Sequence, residues 1–111
     1  ALEERLDRFV RQRALLLQTV TPIRRAAEVH GPFSAEITAR LRDGQAFLRA
    51  ELTHTFGPEL AAAGPSRDDL LDSLDAALSW GTWELLRAGL GRDQATAERI
   101  ISRLAAAVLR G

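Results

Sequence analysis

The stretch SRDDLLDSLDAALSWGTWELLRAGLGRDQATAERIISRLAAAVL, residues 66–109, decides the fold. It reads as two antiparallel helices joined at the turn Gly89-Leu90-Gly91. The first of them, Asp68 to Leu90, is apolar on two opposite faces at about 100° per residue. Leu70, Leu71, Leu74, Leu78, Gly81 and Leu85 gather on one side, and Ala76, Trp80, Trp83 and Leu90 on the other. A helix covering a single core needs one apolar stripe, so one with two must be covered twice. In a chain this short, the spacing predicts that the second cover is another molecule, hence a dimer.

The partner helix is capped by Asp93, and Ala97, Ile100, Ile101, Leu104, Ala105, Ala107 and Val108 spread over a wide apolar arc. Arg99, Arg103 and Arg110 keep to its solvated side. Ser66 and Asp69 resemble a capping box opening the pair. Gly81 lies four residues after Ala77 on the leucine face, and small residues one turn apart let helix backbones approach closely.

Working towards the N-terminus, Ala61 to Pro65 is the only linker-like stretch, and Gly57-Pro58 marks a helix end. Ser34 caps a helix running to about Phe56, with Ile37, Leu41, Leu48 and Leu52 in line and Phe47 beside them. Gly44 in its interior costs about 1 kcal/mol against alanine, which a close neighbour or a ligand would explain, as would a neutral substitution. Thr21 with Pro22 reads as the start of a short helix stopped by Gly31-Pro32. The first helix covers Leu2 to Gln18, with Leu2, Leu6, Phe9, Val10, Leu16 and Leu17 inward. The expected architecture is all-α: one five-helix domain over residues 1–111, with no second domain and no repeat.

Composition narrows the function classes. The 111 residues are 46% hydrophobic and 27% charged, the profile of a globular chain that buries roughly two-thirds of its unfolded surface. Fifteen basic and fifteen acidic side chains balance, whereas a domain gripping nucleic acid phosphates should carry a basic excess. With no cysteine, disulfides, thiolate metal sites and thiol catalysis are excluded. No apolar run approaches the ~18 residues that span a membrane, and no signal-peptide pattern is present, so the cytoplasm is the default location. The chain begins at Ala1 already in helical rhythm and reads as a piece of something longer.

Catalytic and metal patterns are weak. Ser34, Ser66, Ser73, Ser79 and Ser102 lie in no nucleophile elbow, and no phosphate-cradling glycine loop is present. No catalytic residue and no cofactor is assigned, so the chain is not read as an enzyme. Glu51 and His54 form a Glu-x-x-His pair, half of what a di-iron bundle uses, and no second copy exists; no metal site is assigned. His30 beside Gly31 suits a helix C-terminus. Arg11, Arg13, Arg24 and Arg25 form the densest basic grouping, a solvated face unless Arg13 meets a ligand carboxylate bidentately. Helix bundles host small molecules between helices. If such a cavity exists, Phe9, Arg13, Leu16, Phe47, Leu48 and Leu52 are its candidate lining.

The run Ser79-Trp80-Gly81-Thr82-Trp83-Glu84-Leu85-Leu86-Arg87, then Leu90-Gly91 and a capped Ala/Ile/Leu helix, resembles the C-terminal end of tetracycline-repressor (TetR) family regulators. Arg8-Phe9-Val10 with Arg13, Pro22 with Arg24-Arg25-Ala26-Ala27, and Phe56-Gly57-Pro58-Glu59-Leu60 are similar to segments of many such regulators. The resemblance implies that the last two helices pair with those of a second copy in a four-helix dimer bundle. It also implies an effector pocket among the earlier helices, with operator DNA bound only through an N-terminal helix-turn-helix that this stretch lacks. Effector binding would then release DNA through differential affinity for two conformations. Leu74, Leu78, Gly81, Leu85, Ile101, Leu104 and Val108 are the expected dimer interface, with the tryptophan face turned to the chain's own core; the reverse assignment is the alternative. Gly81 departs from the larger, often acidic residue expected there. The competing reading is a stand-alone helical protein–protein interaction module without a ligand. A cavity enclosed by the first three helices favours the regulator, and a filled core there favours the module.

Overall fold

Apolar side chains recur along this chain at three- and four-residue intervals, so nearly every segment can bury a stripe only as a helix. The computed structural model describes residues 1–111, the side chain of Pro32 excepted. The chain is all-α, with five principal helices and one short one. They are α1 (Leu2–His30), α2 (Ala35–Thr55), the short α3 (Gly57–Ala62), α4 (Arg67–Ala77), α5 (Trp80–Glu84, continued by a π-helical turn Leu85–Gly89) and α6 (Gln94–Arg110). No helix is long and apolar enough to cross a membrane among the described residues.

One helix replaces the two expected between Leu2 and His30. Thr21 does not cap a new helix. Its buried hydroxyl donates back to the Leu17 carbonyl at 2.7 Å and accepts the Trp80 indole N–H at 3.2 Å. Leu6, Phe9, Val10, Arg13, Ala14, Leu17, Thr21 and Ala27 form one continuous buried stripe across the proline. Pro22 itself lies on the exposed side, where water can satisfy the carbonyl its missing N–H leaves free. Packing therefore outweighs the local break signal.

Ser34 caps α2 as its sequence suggests, accepting the Ile37 N–H at 3.2 Å. α2 ends just before Gly57-Pro58 as expected, and these residues open α3, which buries Leu60 and takes in the start of the linker-like stretch Ala61 to Pro65. Arg5 ties this corner to α1. Its guanidinium clasps both Glu59 oxygens, at 2.7 and 3.0 Å, and donates to the Thr55 carbonyl at 3.0 Å. Arg49 likewise joins α2 to α4 through Asp72 and Asp75. Ser66 makes no side-chain cap, so the expected capping box does not form and α4 starts at Arg67.

The larger correction concerns the helix from Asp68 to Leu90, which is two helices. The break falls at Leu78-Ser79, where Ser79 caps α5 by accepting the Thr82 N–H at 3.2 Å. The hydroxyls of Ser79 and Thr82 both donate to the Ala76 carbonyl, which α4 can no longer satisfy from within. The break changes the helical phase. Leu71, Leu74 and Leu78 on one side of it, and Trp83 and Leu86 on the other, all enter the same core. Two opposite faces become one. Beyond the π turn, Gly91 at φ +68° reverses the chain, and Asp93 caps α6 by accepting the Thr96 N–H at 2.8 Å.

The core joins α1, α3, α4, α5 and α6, with Leu52 as α2's buried contribution. Phe9 and Phe56 meet edge-to-face at 5.4 Å in it. Ala97, Ile101 and Ala105 turn inward from α6, the alanines letting it lie close to α1 and α4. The molecule measures 41 × 30 × 18 Å, so its thinnest dimension is less than two full helix diameters.

Two surface pairs predict an acid-sensitive stability. Hydrogen bonds from Arg5 hold the Glu59 carboxyl below its ordinary value of 4.5, and hydrogen bonds from Arg25 do the same for Glu84. A depressed folded pKa means the pairs contribute fully above about pH 4.5 and lose their contribution as pH falls below it. Solvent reaches both pairs, so the contribution is small. Thermal melts from pH 7 down to pH 3 should show a shallower acid limb in Arg5→Gln/Arg25→Gln than in the parent. An identical limb contradicts this.

Candidate ligand pocket

The core leaves one flank of α1 uncovered. Leu16, Val20 and Ile23 continue a second apolar line along it, and α2 answers with Leu41, Phe47 and Leu48. Between these lines and the start of α5 lies a half-enclosed cavity of about 340 Å³, completed by Trp80 and Gly81. That volume sits at the lower end of the range for small-molecule sites. Phe47 at 65% and Ile23 at 70% exposure stand at its open side.

Gly44 belongs to this cavity wall, and a Cβ built on it meets nothing within 4 Å. Its neighbour is therefore empty space. Gly44→Ala should stabilise the domain by about 1 kcal/mol through helix propensity alone, read as a higher urea midpoint at unchanged slope. A loss of stability would show the space to be filled.

Arg13, Leu16, Phe47 and Leu48 of the expected lining do line the cavity. Phe9 and Leu52 do not: they are 9% and 0% exposed and belong to the core. Arg13 is only 3% exposed, and its guanidinium is already committed. It donates to the carbonyls of Leu78 and Leu48, both at 3.3 Å, approaches Glu51 at 3.6 Å and lies over the Phe9 ring at 4.8 Å. Burial pushes its pKa down, opposed by Glu51 and Asp75. A guanidinium stays charged through such a shift. Arg13 thus ties α2 to the α4–α5 junction and does not wait for a ligand.

The cationic group left over is Arg24, which sequence reasoning placed in a solvated cluster. Its guanidinium carbon sits 4.9 Å from the centre of the Trp80 ring, and its buried Nε has no hydrogen-bond partner. Glu28 approaches it to 3.8 Å, longer than a hydrogen bond. The other charges at the cavity are engaged elsewhere: Asp75 with Arg49, and the largely exposed Arg40 with Glu36. Val20, Ile23 and Arg24 were missed because a helix break was read at Thr21-Pro22. Trp80 and Gly81 were missed because α5 was read in phase with α4.

The expected dimer residues divide. Leu74, Leu78 and Ile101 are 0% exposed within a single chain, which corrects their assignment to an interface: no partner reaches them in this packing. Leu85 and Leu104 are exposed at 56% and 42%, Gly81 is exposed and Val108 half-buried. His54 is exposed while Glu51 faces Arg13, and no cluster of three or more possible metal ligands exists among the described residues. Comparison with family models, characterised proteins and solved structures returns no match.

Proposed function

We propose that this chain is the effector-binding and dimerisation domain of a TetR-like transcriptional regulator, a cytoplasmic repressor whose DNA binding answers to a small apolar ligand. The observation that carries the reading is the apolar cavity between α1, α2 and the start of α5. The cavity is half-enclosed and shared with α5, rather than enclosed by the first three helices as expected. What supports the regulator over a stand-alone module is that this space is not filled by core side chains, and a metalloenzyme would need ligands beyond Glu51 and His54.

Dimerisation gains its support from surface area. The chain exposes 7037 Å², whereas a monomer of its 12.2 kDa should expose about 6,100 Å². The excess, roughly 900 Å², is close to what one partner gives up in a standard interface, about 800 Å². Leu85, Leu104 and Val108 with Gly81 are the remaining candidates for that joint. Pocket and joint share one element: Trp80 and Gly81 wall the cavity at the start of α5, and Leu85 lies one turn further on. A ligand moving Trp80 would move Leu85 with it, which is the differential contact a two-state switch requires.

Sedimentation equilibrium tests the joint. The parent should be a dimer, and Leu85→Arg with Leu104→Arg should give folded monomers. A folded dimer surviving both changes would sink the assignment. Reading the frame upstream of Ala1 tests the class: a helix-turn-helix is expected there, and a different domain would refute the regulator reading.

A further inference from the structure

The cavity is not electrically neutral. Each of its charges has a partner, and that of Arg24 is the weakest: Arg13 is held by two carbonyls and Glu51, Asp75 by Arg49 and Arg40 by Glu36, whereas Glu28 comes no closer to Arg24 than 3.8 Å, beyond hydrogen-bond reach. The buried Nε of Arg24 has no hydrogen-bond partner among the described residues. Its guanidinium carbon lies over the Trp80 ring at 4.9 Å, a cation–π contact that leaves the guanidinium N–H groups available as donors. The part of the side chain still open to solvent carries its terminal N–H groups, and these are the donors a ligand carboxylate would meet. We infer that the pocket takes a small amphipathic monocarboxylate, its carboxylate on Arg24 and its apolar body between α1 and α2.

The inference rests on the ligand-binding reading above and adds the chemical class. Size follows from the volume: about 340 Å³ is room for roughly ten to twelve non-hydrogen atoms. Leu16, Val20, Leu41, Phe47 and Leu48 offer the tail only apolar contacts. A cationic ligand meets Arg24 as a like charge, and an uncharged acceptor such as an amide carbonyl satisfies it less strongly than an anion does. A carboxylate accepts from two guanidinium N–H groups at once.

Calorimetric titration with phenylbutyrate and its isosteric amide, phenylbutanamide, tests this. The acid should bind the parent about tenfold more tightly than the amide, as expected for hydrogen bonds to a charged group. In Arg24→Gln that preference should vanish while the amide's affinity stays the same. Gly44→Phe should block both probes, and its thermal melt reports whether it folds. Equal binding of acid and amide to the parent, blocked by Gly44→Phe, overturns the carboxylate class and leaves the pocket standing. An acid preference that persists in Arg24→Gln overturns the role of Arg24. Neither probe binding the parent overturns the pocket reading as well.

Discussion

Trp83→Ala is expected to cost about 4 kcal/mol, the largest loss from any single truncation in the chain. Trp83 is 0% exposed and is the largest of the fully buried side chains. It comes from α5, an element too short to persist on its own, and it is the one fully buried side chain of that helix, with Trp80 and Leu86 as lesser anchors. A domain of this size has about 5–15 kcal/mol in total. The variant should therefore lose most of its cooperativity in urea, and Trp83→Phe should lose about 1–2 kcal/mol with a sharp transition retained. A loss under about 1 kcal/mol in Trp83→Ala would mean that α5 is not packed as described.

Arg13→Ala is expected to cost about 3 kcal/mol, although it removes a charge from a nearly dry site. The substitution abandons the carbonyl of Leu78, at the point where α4 ends, and leaves a void beside Phe9. It also withdraws the link to Leu48 of α2. Arg13→Lys should recover less than half of the loss, because an ammonium cannot span two separate carbonyls while lying over a ring. Urea unfolding monitored by circular dichroism gives both numbers. Full recovery by lysine would reduce the site to a simple charge requirement.

The class of the fold was legible in the sequence because helical periodicity recurs everywhere and the caps at Ser34 and Asp93 use the expected chemistry. The junctions were not. Thr21-Pro22 carries every mark of a helix start, yet the Thr21 hydroxyl bonds back to Leu17 within the same helix and is met by Trp80 from far along the chain. Ser79 carries a cap signal that a run of leucines on both sides obscures, and only the phase of Trp83 in the core reveals it. Those two junctions decide which residues reach the pocket. Reading through the first and breaking at the second brings Val20, Ile23, Arg24 and Trp80 to one wall. The same phase change moves Leu74 and Leu78 from a supposed interface into the core, and Ile101 of α6 lies there with them.

The dimer bundle retains a reduced form of its original argument. A second molecule covering one face of the final helices would meet the exposed Leu85 and Leu104, with the half-buried Val108 at their edge, rather than the whole leucine line.

The central claim is that the space between α1, α2 and the start of α5 receives a small molecule. Amide chemical-shift mapping of the labelled chain, titrated with phenylbutyrate, tests it residue by residue. The account predicts perturbations clustered at residues 16–24, 41–48 and 79–81, with α3 and the C-terminal half of α6 unmoved. Perturbations scattered over the surface, or none, would contradict it.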